Sequence, residues 1–385
     1  MKPKTFMLIA GETSGDFLAS ELVNALRVQL PEATFFGAGG AKMAGAGVEL
    51  AFDMTQLAVT GITDVVKNYF AFRRRFNQLL ALAEERRPDA IIGVDYGGFN
   101  LRFGQAIKHR VRQIEPTKVS WNPRIIQFVS PQVWASRPKR ANRMEADYDL
   151  LLSIFPFEKA WYAKHAPRLR VEFVGHPMLD RQPTSIGPES GREIIAAAPE
   201  VLLLPGSRRG ELKRHLPVML PAVALIQKSF PGAKVRMVLP NGALAELART
   251  LGTKGEIQIG NLSAALARAD VAIASTGTVT MECAFFGVPT VTLYKTSRLT
   301  YEIGKRLITV NSLTMPNLMS GQTIYPEFIQ QDATADHLAD ATIALLRDQS
   351  RRETIQAQLS GIIASLGQPG ATRRAAEAVV GLFAE

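Results

Sequence analysis

Short apolar runs alternate along this chain with longer segments whose apolar residues recur every three or four positions. The runs Thr5–Ala10, Thr34–Gly37, Ala90–Val94, Ile125–Val129, Leu150–Ile154 and Val171–Val174 predict buried strands in the first half. Val201–Leu204, Val235–Leu239, Ile257–Ile259, Val271–Ala274 and Val291–Tyr294 do so in the second. Helical spacing lies between them, as in Phe17, Leu18, Leu22, Leu26 and Leu30, and in the segments Glu211–Phe230, Leu244–Leu251 and Leu262–Ala269. This alternation predicts an α/β fold of parallel sheets covered by helices on both faces. Ligands in such sheets bind beyond the C-terminal ends of the strands. The Pro-, Ser- and Gly-rich stretch from Arg181 to Gly191 reads as a linker. It separates an expected domain 1–182 from another at 192–345, with a helical tail at 346–385.

Composition adds three constraints. No run of about 18 uncharged apolar residues is present, so no transmembrane helix is expected. The basic, then apolar, start Met1–Ala10 runs straight into Gly11-Glu12-Thr13-Ser14-Gly15-Asp16 and reads as a first strand rather than a signal peptide. The single cysteine, Cys283, excludes an internal disulfide and fits a reducing compartment. The formal net charge is +10, and ten Lys or Arg residues fall between Arg102 and Arg143. Such a block suits an anionic partner or a solvated basic face. No zinc-finger spacing or aromatic RNA-binding motif accompanies it, so nucleic acid is not the expected partner. The five histidines have no zinc-ligand spacing, and no metal is expected.

Candidate chemistry sits where strands end. Leu204-Pro205-Gly206-Ser207-Arg208 runs from a strand into a polar helix. Glycine lets backbone approach an oxyanion, the helix N-terminus favours negative charge, and arginine adds a two-pronged phosphate contact. The alternative is an ordinary strand–turn–helix connection. Ser275-Thr276-Gly277-Thr278 repeats the arrangement, and Glu282 lies one helical turn beyond Thr278, placed for ribose hydroxyls or as a plain helix residue. In the first half, the glycines of Gly11–Asp16 let a substrate approach the backbone, Glu12 and Asp16 are placed to orient sugar hydroxyls, and Ser14 or Asp16 is the alternative cap of the first helix, the role expected of Asp16. Asp95 ends a strand, which suits either a general base or a turn residue held by local backbone. His176 reads as a cleft residue or as a structural one. Phe70, Phe72 and Phe76 interleave with Arg73, Arg74 and Arg75 after Val66, which suits either a segment on anionic lipid or an amphipathic helix packed on its own domain. Two phosphate-type turns in one half and a different glycine loop in the other point to a nucleotide-sugar enzyme.

In this order the motifs resemble the lipid-A-disaccharide synthase family over nearly the whole chain. The resemblance rests on Ala10–Asp16, Phe99-Asn100-Leu101-Arg102, Val129-Ser130-Pro131 and Val133-Trp134-Ala135. It continues through Phe155–Ala160, Val174-Gly175-His176, Leu203–Arg208, Gly277-Thr278 with Glu282-Cys283, Lys305-Arg306-Leu307 and Pro316-Asn317-Leu318. It implies an inverting glycosyltransferase of the GT-B type, with two Rossmann-like domains facing a cleft and C-terminal helices packing back across them. The implied reaction joins UDP-2,3-diacylglucosamine to 2,3-diacylglucosamine 1-phosphate (lipid X) and releases UDP, without metal or cofactor. Asp95 is then the base. Gly206, Ser207, Arg208, Thr276, Gly277, Thr278, Glu282 and Asn317 bind the nucleotide, and Glu12, Ser14 and Asn100 the acceptor or sugar. Val66, Phe70, Phe72, Arg73, Arg74, Arg75 and Phe76 become the membrane contact of a peripheral protein on the inner face of the cytoplasmic membrane. A homodimer through the C-terminal helices is compatible with this reading.

The chain departs from the family pattern at several positions. Gly98 stands where a second acid is usual, Ser136 replaces a tryptophan, Thr276 a serine and Gln322 an arginine, and residues 110–124 are longer than usual. Two other readings remain open on these residues: a GT-B enzyme using UDP-N-acetylglucosamine on a different acceptor, and a UDP-sugar-binding relative without turnover.

Overall fold

The computed structural model describes residues 3–55, 69–113, 121–181 and 198–384. Val66, Lys118 and the expected linker beyond Arg181 lie outside these residues. The chain divides into two units: the residues up to Arg181 together with Leu366–Glu385, and the intervening chain to Ser365.

The first unit is built on a parallel sheet of seven strands: β1 (Thr5–Ala10), β2 (Thr34–Gly39), β3 (Glu49–Asp53), β4 (Ala90–Val94), β5 (Arg124–Phe128), β6 (Leu150–Ser153) and β7 (Val171–Phe173). Their order in the sheet is β3-β2-β1-β4-β5-β6-β7. β4 is wholly apolar because helices cover both its faces, and Phe6 to Ala10 of β1 have no exposed surface. The order reverses between β1 and β4, which pair in parallel from Phe6↔Ala90 to Ala10↔Val94. A switch of this kind opens a crevice at the C-terminal strand ends.

The second unit repeats the plan with β8 (Glu200–Leu204), β9 (Lys234–Leu239), β10 (Glu256–Ile259), β11 (Val271–Ser275), β12 (Thr290–Tyr294) and β13 (Glu327–Ile329), ordered β10-β9-β8-β11-β12-β13. Its switch lies between β8 and β11. The two strands absent from the sequence reading, β3 and β13, are sheet edges. Edge strands are only partly covered, and the apolar runs here are short, Leu50-Ala51-Phe52 in β3 and Phe328-Ile329 in β13.

The helical tail is shared between the units. The helix Gln349–Ser365 belongs to the second, where buried Arg352 donates to the carbonyls of Leu345 and Leu346 at 2.6 and 2.7 Å and so closes the end of the preceding helix. The helix Ala371–Gly381 belongs to the first and packs along the helix Thr13–Gln29. Asp180 caps it, accepting from the N–H groups of Ala371 and Thr372, both at 3.2 Å, and from the Thr372 hydroxyl at 2.9 Å. Burial pushes the Asp180 carboxyl upward, but the hydrogen bonds from Gly370, Thr372 and Ala371 outweigh it and hold the group below its ordinary value. No helix among the described residues is long and apolar enough to cross a membrane.

Candidate active site

At the switch point of the first unit, β4 ends in two consecutive non-glycine residues with left-handed backbone, Asp95 (φ 51°) and Tyr96 (φ 45°). Beside them Val129, the residue after β5, is also left-handed (φ 67°), an outlying conformation for a β-branched side chain. Each such residue costs on the order of 1–3 kcal/mol and persists only where its surroundings over-determine it. Here they do. The Asp95 N–H donates to the Phe128 carbonyl at 2.8 Å. The Asp95 carbonyl accepts from Asn100 Nδ2 at 2.8 Å and from Gln127 Nε2 at 2.9 Å. The Tyr96 ring lies on Gly11 and stacks on Phe99 at 5.6 Å. Burial, with the charge of Glu12 adding to it, raises the Tyr96 phenol to about 12, so the ring stays neutral at physiological pH.

The structure separates the first-unit candidates. Asp95 and Glu12 are half-buried and Ser14 is exposed, all at the C-terminal ends of β1 and β4. Gly11 is needed for the Tyr96 ring, which takes the space expected for substrate. Asn100 is buried and holds the Asp95 backbone, so it is not presented to a sugar. Asp16 does not cap its own helix. Its carboxylate accepts from the N–H groups of Gly40, Lys42 and Met43 at 2.7, 3.0 and 3.1 Å and caps the next helix, Ala41–Gly45. A Cβ at Gly98 would meet nothing within 4 Å, so packing does not demand glycine there. His176 accepts from the Met178 N–H at 3.2 Å, and burial with the nearby Arg181 holds it down at about 4, a neutral structural histidine.

Under the loop after β5, Glu158 accepts from Trp134 Nε1 at 3.0 Å and from the Phe155 N–H at 3.3 Å. Burial raises its carboxyl to about 7, against the lowering effect of hydrogen bonds from Trp134, Ser130, Phe155 and Ile154. The basic block also resolves into two sets. Lys108 and Arg124 pair with Asp149, Arg110 with Glu84 and Arg112 with Asp147. Arg102, Arg137, Lys139, Arg140 and Arg143 have no carboxylate at ion-pair distance among the described residues. Burial first, and then the charges of Arg137, Arg102 and Arg143, hold the Arg140 guanidinium below its ordinary value.

In the second unit the bend after β8 presents Ser207 and Arg208 to solvent, with Gly206 at φ 119°. Its N–H groups are not open, as the sequence reading expected. Those of Ser207 and Arg208 donate to Glu211 Oε2 at 2.9 and 3.1 Å. The Ser207 hydroxyl is exposed at the bend, and the Arg208 guanidinium, also exposed, lies 3.8 Å from Glu211 Oε1. His215, fully buried, steadies it from below: Nδ1 donates to the Pro205 carbonyl at 2.7 Å and Nε2 accepts from the Lys295 N–H at 3.1 Å. Burial keeps this ring below its ordinary value and neutral. The neighbouring turn after β11 exposes Gly277 and Thr278, with Thr276 and Glu282 half-buried. Asn317 is buried with all its amide positions occupied. Nδ2 donates to Tyr325 O and Glu327 Oε1, both at 2.8 Å, and Oδ1 accepts from the N–H groups of Ile324 and Tyr325, both at 2.9 Å. Asn317 therefore shapes its loop and has no group left for a nucleotide. Cys283 is buried, which pushes its thiol up to about 12.

The aromatic–arginine segment is the helix Tyr69–Arg86, and it has two faces. Phe70 is 79% exposed and Arg73 and Arg74 are exposed beside it. Phe72 and Phe76 instead pack on the core, Phe76 meeting Phe99 and Phe103 edge-on, and Arg75 stacks over Phe52 at 4.4 Å. A second surface escaped the sequence reading. The helix Arg298–Leu307 buries none of its residues and exposes Leu299, Ile303 and Leu307 on one stripe, with Arg306 beside them. The spacing of those three apolar residues was the available signal. Among the described residues no three His, Cys, Asp or Glu side chains gather as a cation site.

The sequence profile described as Lipid-A-disaccharide synthetase matches residues 6–380. The chain is 34% identical to the lipid-A-disaccharide synthase of Trichlorobacter lovleyi, covering 99% of this chain and 98% of that one. It is 33% identical to that of Coxiella burnetii over the full length of both. Among solved structures, the UDP-GlcNAc 2-epimerase of Neisseria meningitidis bound to UDP-GlcNAc shares the fold (TM-score 0.62, 11% identity, 98% of this chain and 100% of that chain). So does the glycosyltransferase of kitacinnamycin (TM-score 0.60, 19% identity, 98% and 99%).

Proposed function

We propose that this chain, which belongs to the lipid-A-disaccharide synthase family, joins UDP-2,3-diacylglucosamine to 2,3-diacylglucosamine 1-phosphate, giving the β-1,6 disaccharide phosphate and UDP. The Asp95 carboxylate takes the proton of the acceptor 6-hydroxyl. That oxygen forms the new bond to the anomeric carbon from the face opposite the diphosphate, and UDP leaves with the bonding electrons, inverting the centre. The Arg208 guanidinium and the Ser207 hydroxyl stabilise the charge developing on the diphosphate. The Thr276–Thr278 turn lies against the nucleotide, and Glu282 accepts from the ribose hydroxyls.

The observation that carries this reading is the Asp95 backbone, held left-handed at the end of β4 by one main-chain and two side-chain hydrogen bonds. Strain of that kind is kept where a side chain must be aimed. The test is Asp95→Ala, with UDP release and UDP affinity measured together. We expect turnover to fall by roughly 10²–10⁴ and UDP affinity to stay within about twofold, since the base acts on the acceptor. Near-normal turnover would overturn the assignment.

Both substrates carry acyl chains, and two basic-apolar surfaces support attachment to an anionic membrane surface, on the inner face of the cytoplasmic membrane. One is Phe70 with Arg73 and Arg74; the other is Leu299, Ile303 and Leu307 with Arg306. Apolar residues enter the acyl boundary while cations meet the headgroups.

A further inference from the structure

We infer that Gln127 is a positioning residue for the transfer: it grips the backbone carbonyl of Asp95 and thereby sets where the Asp95 carboxylate points. The inference rests on the reading of Asp95 as the base. Gln127 lies on β5 with no exposed surface, a polar side chain on a strand otherwise built for the core. Its Nε2 faces three carbonyl oxygens: Asp95 at 2.9 Å, Val129 at 3.2 Å and Phe128 at 3.3 Å. The Phe128 carbonyl also receives the Asp95 N–H at 2.8 Å. One amide therefore ties the end of β4 to the end of β5, across the three left-handed residues Asp95, Tyr96 and Val129.

Asn100 Nδ2 reaches the same Asp95 carbonyl from the other side. The two amides meet over Gly93, where a Cβ would come within 2.7 Å of Gln127 Oε1 and 2.8 Å of Asn100 Nδ2. Glycine at 93 makes room for both. The arrangement is expensive in polar terms, because Gln127 Oε1 and Asn100 Oδ1 are buried without a hydrogen-bond partner. An apolar residue at 127 would remove one of those unmet acceptors. Its absence is understandable if the donor side of the amide is what the position requires.

The test uses the full chain. Gln127→Met keeps the size and removes the donors. We expect kcat to fall on the order of 10- to 100-fold through misaiming of the base, with UDP affinity within about twofold, since UDP is bound by the second unit. On an Asp95→Ala background the same substitution should change the residual rate by less than about twofold, because Gln127 acts only through Asp95. A kcat within about twofold of wild type, or an equal loss on both backgrounds, would overturn the inference and leave Gln127 a packing residue. Near-normal turnover of Asp95→Ala alone would instead overturn the base reading, and the inference with it. Gln127→Leu, close in volume and without a polar atom, serves the same cycle should the methionine variant not fold.

Discussion

The ring of Tyr96 lies on the backbone of Gly11 so closely that a Cβ there would sit 2.3 Å from Tyr96 Cδ1. The first glycine loop thus serves as the floor on which the residue after Asp95 rests. Gly11→Ala should displace Tyr96, destabilise the unit by about 1–3 kcal/mol through overpacking and lower kcat about tenfold or more, with UDP affinity unchanged. Denaturant melts and steady-state rates check this; full activity would show that Tyr96 does not govern Asp95.

Asp16 supplies three N–H groups of another helix with their acceptor. Asp16→Ala leaves those donors without it and should cost about 2 kcal/mol of stability, while kcat per folded molecule holds. Loss of rate at unchanged stability would return Asp16 to the sugar site.

Arg208 is an exposed cation of the β8 bend, 3.8 Å from Glu211 Oε1. A charge-assisted bond to phosphate is worth about 1.5–3 kcal/mol, so Arg208→Ala should weaken UDP binding roughly 10- to 100-fold by calorimetry and lower the rate as well. Unchanged UDP affinity would remove Arg208 from the diphosphate.

Glu158 has a folded-state value near 7 against an ordinary 4.5. The folded state therefore holds the proton more tightly than the unfolded one. The stability this contributes is fully present below about pH 4.5 and is lost as pH rises through about 7. Relative to Glu158→Gln, which cannot ionise, the wild-type melting temperature should decline across that window. A pH-independent difference would contradict it. Taking the difference cancels His176, whose depressed value works the other way, removing stability as pH falls from about 6.5 through 4.

Leu299, Ile303 and Leu307 offer a lipid surface three side chains on one stripe. Burying each is worth about 1.5–3 kcal/mol. The triple serine variant should bind vesicles containing phosphatidylglycerol at least about tenfold more weakly, and Phe70→Ser should weaken binding less. Equal binding by the triple variant would exclude this helix from the membrane contact.

Much of this protein follows from local order in the chain. A short apolar run between turn residues favours a strand, and eleven runs read that way correspond to eleven of the strands observed, although β10 buries none of its residues. β3 and β13, edge strands only partly covered, escaped because their apolar runs are short and lie beside acidic residues. The glycine turns after β1, β8 and β11, and the motif order that identifies the family, are also properties of neighbours along the chain. Side-chain partners are not. Asp16 finds Gly40 across 24 residues, Gln127 finds Asp95 across 32, and Asn100 reaches Ile9 across 91. A polar side chain bonds to whatever lies within about 3 Å, and only the packed sheet decides what that is. The sequence by itself therefore determined the strands, their alternation with helices and the residues that bear the chemistry. The tertiary structure alone decided that Asn100 and Gln127 hold Asp95, that Glu211 occupies the N–H groups of the phosphate bend and that Asn317 faces its own loop.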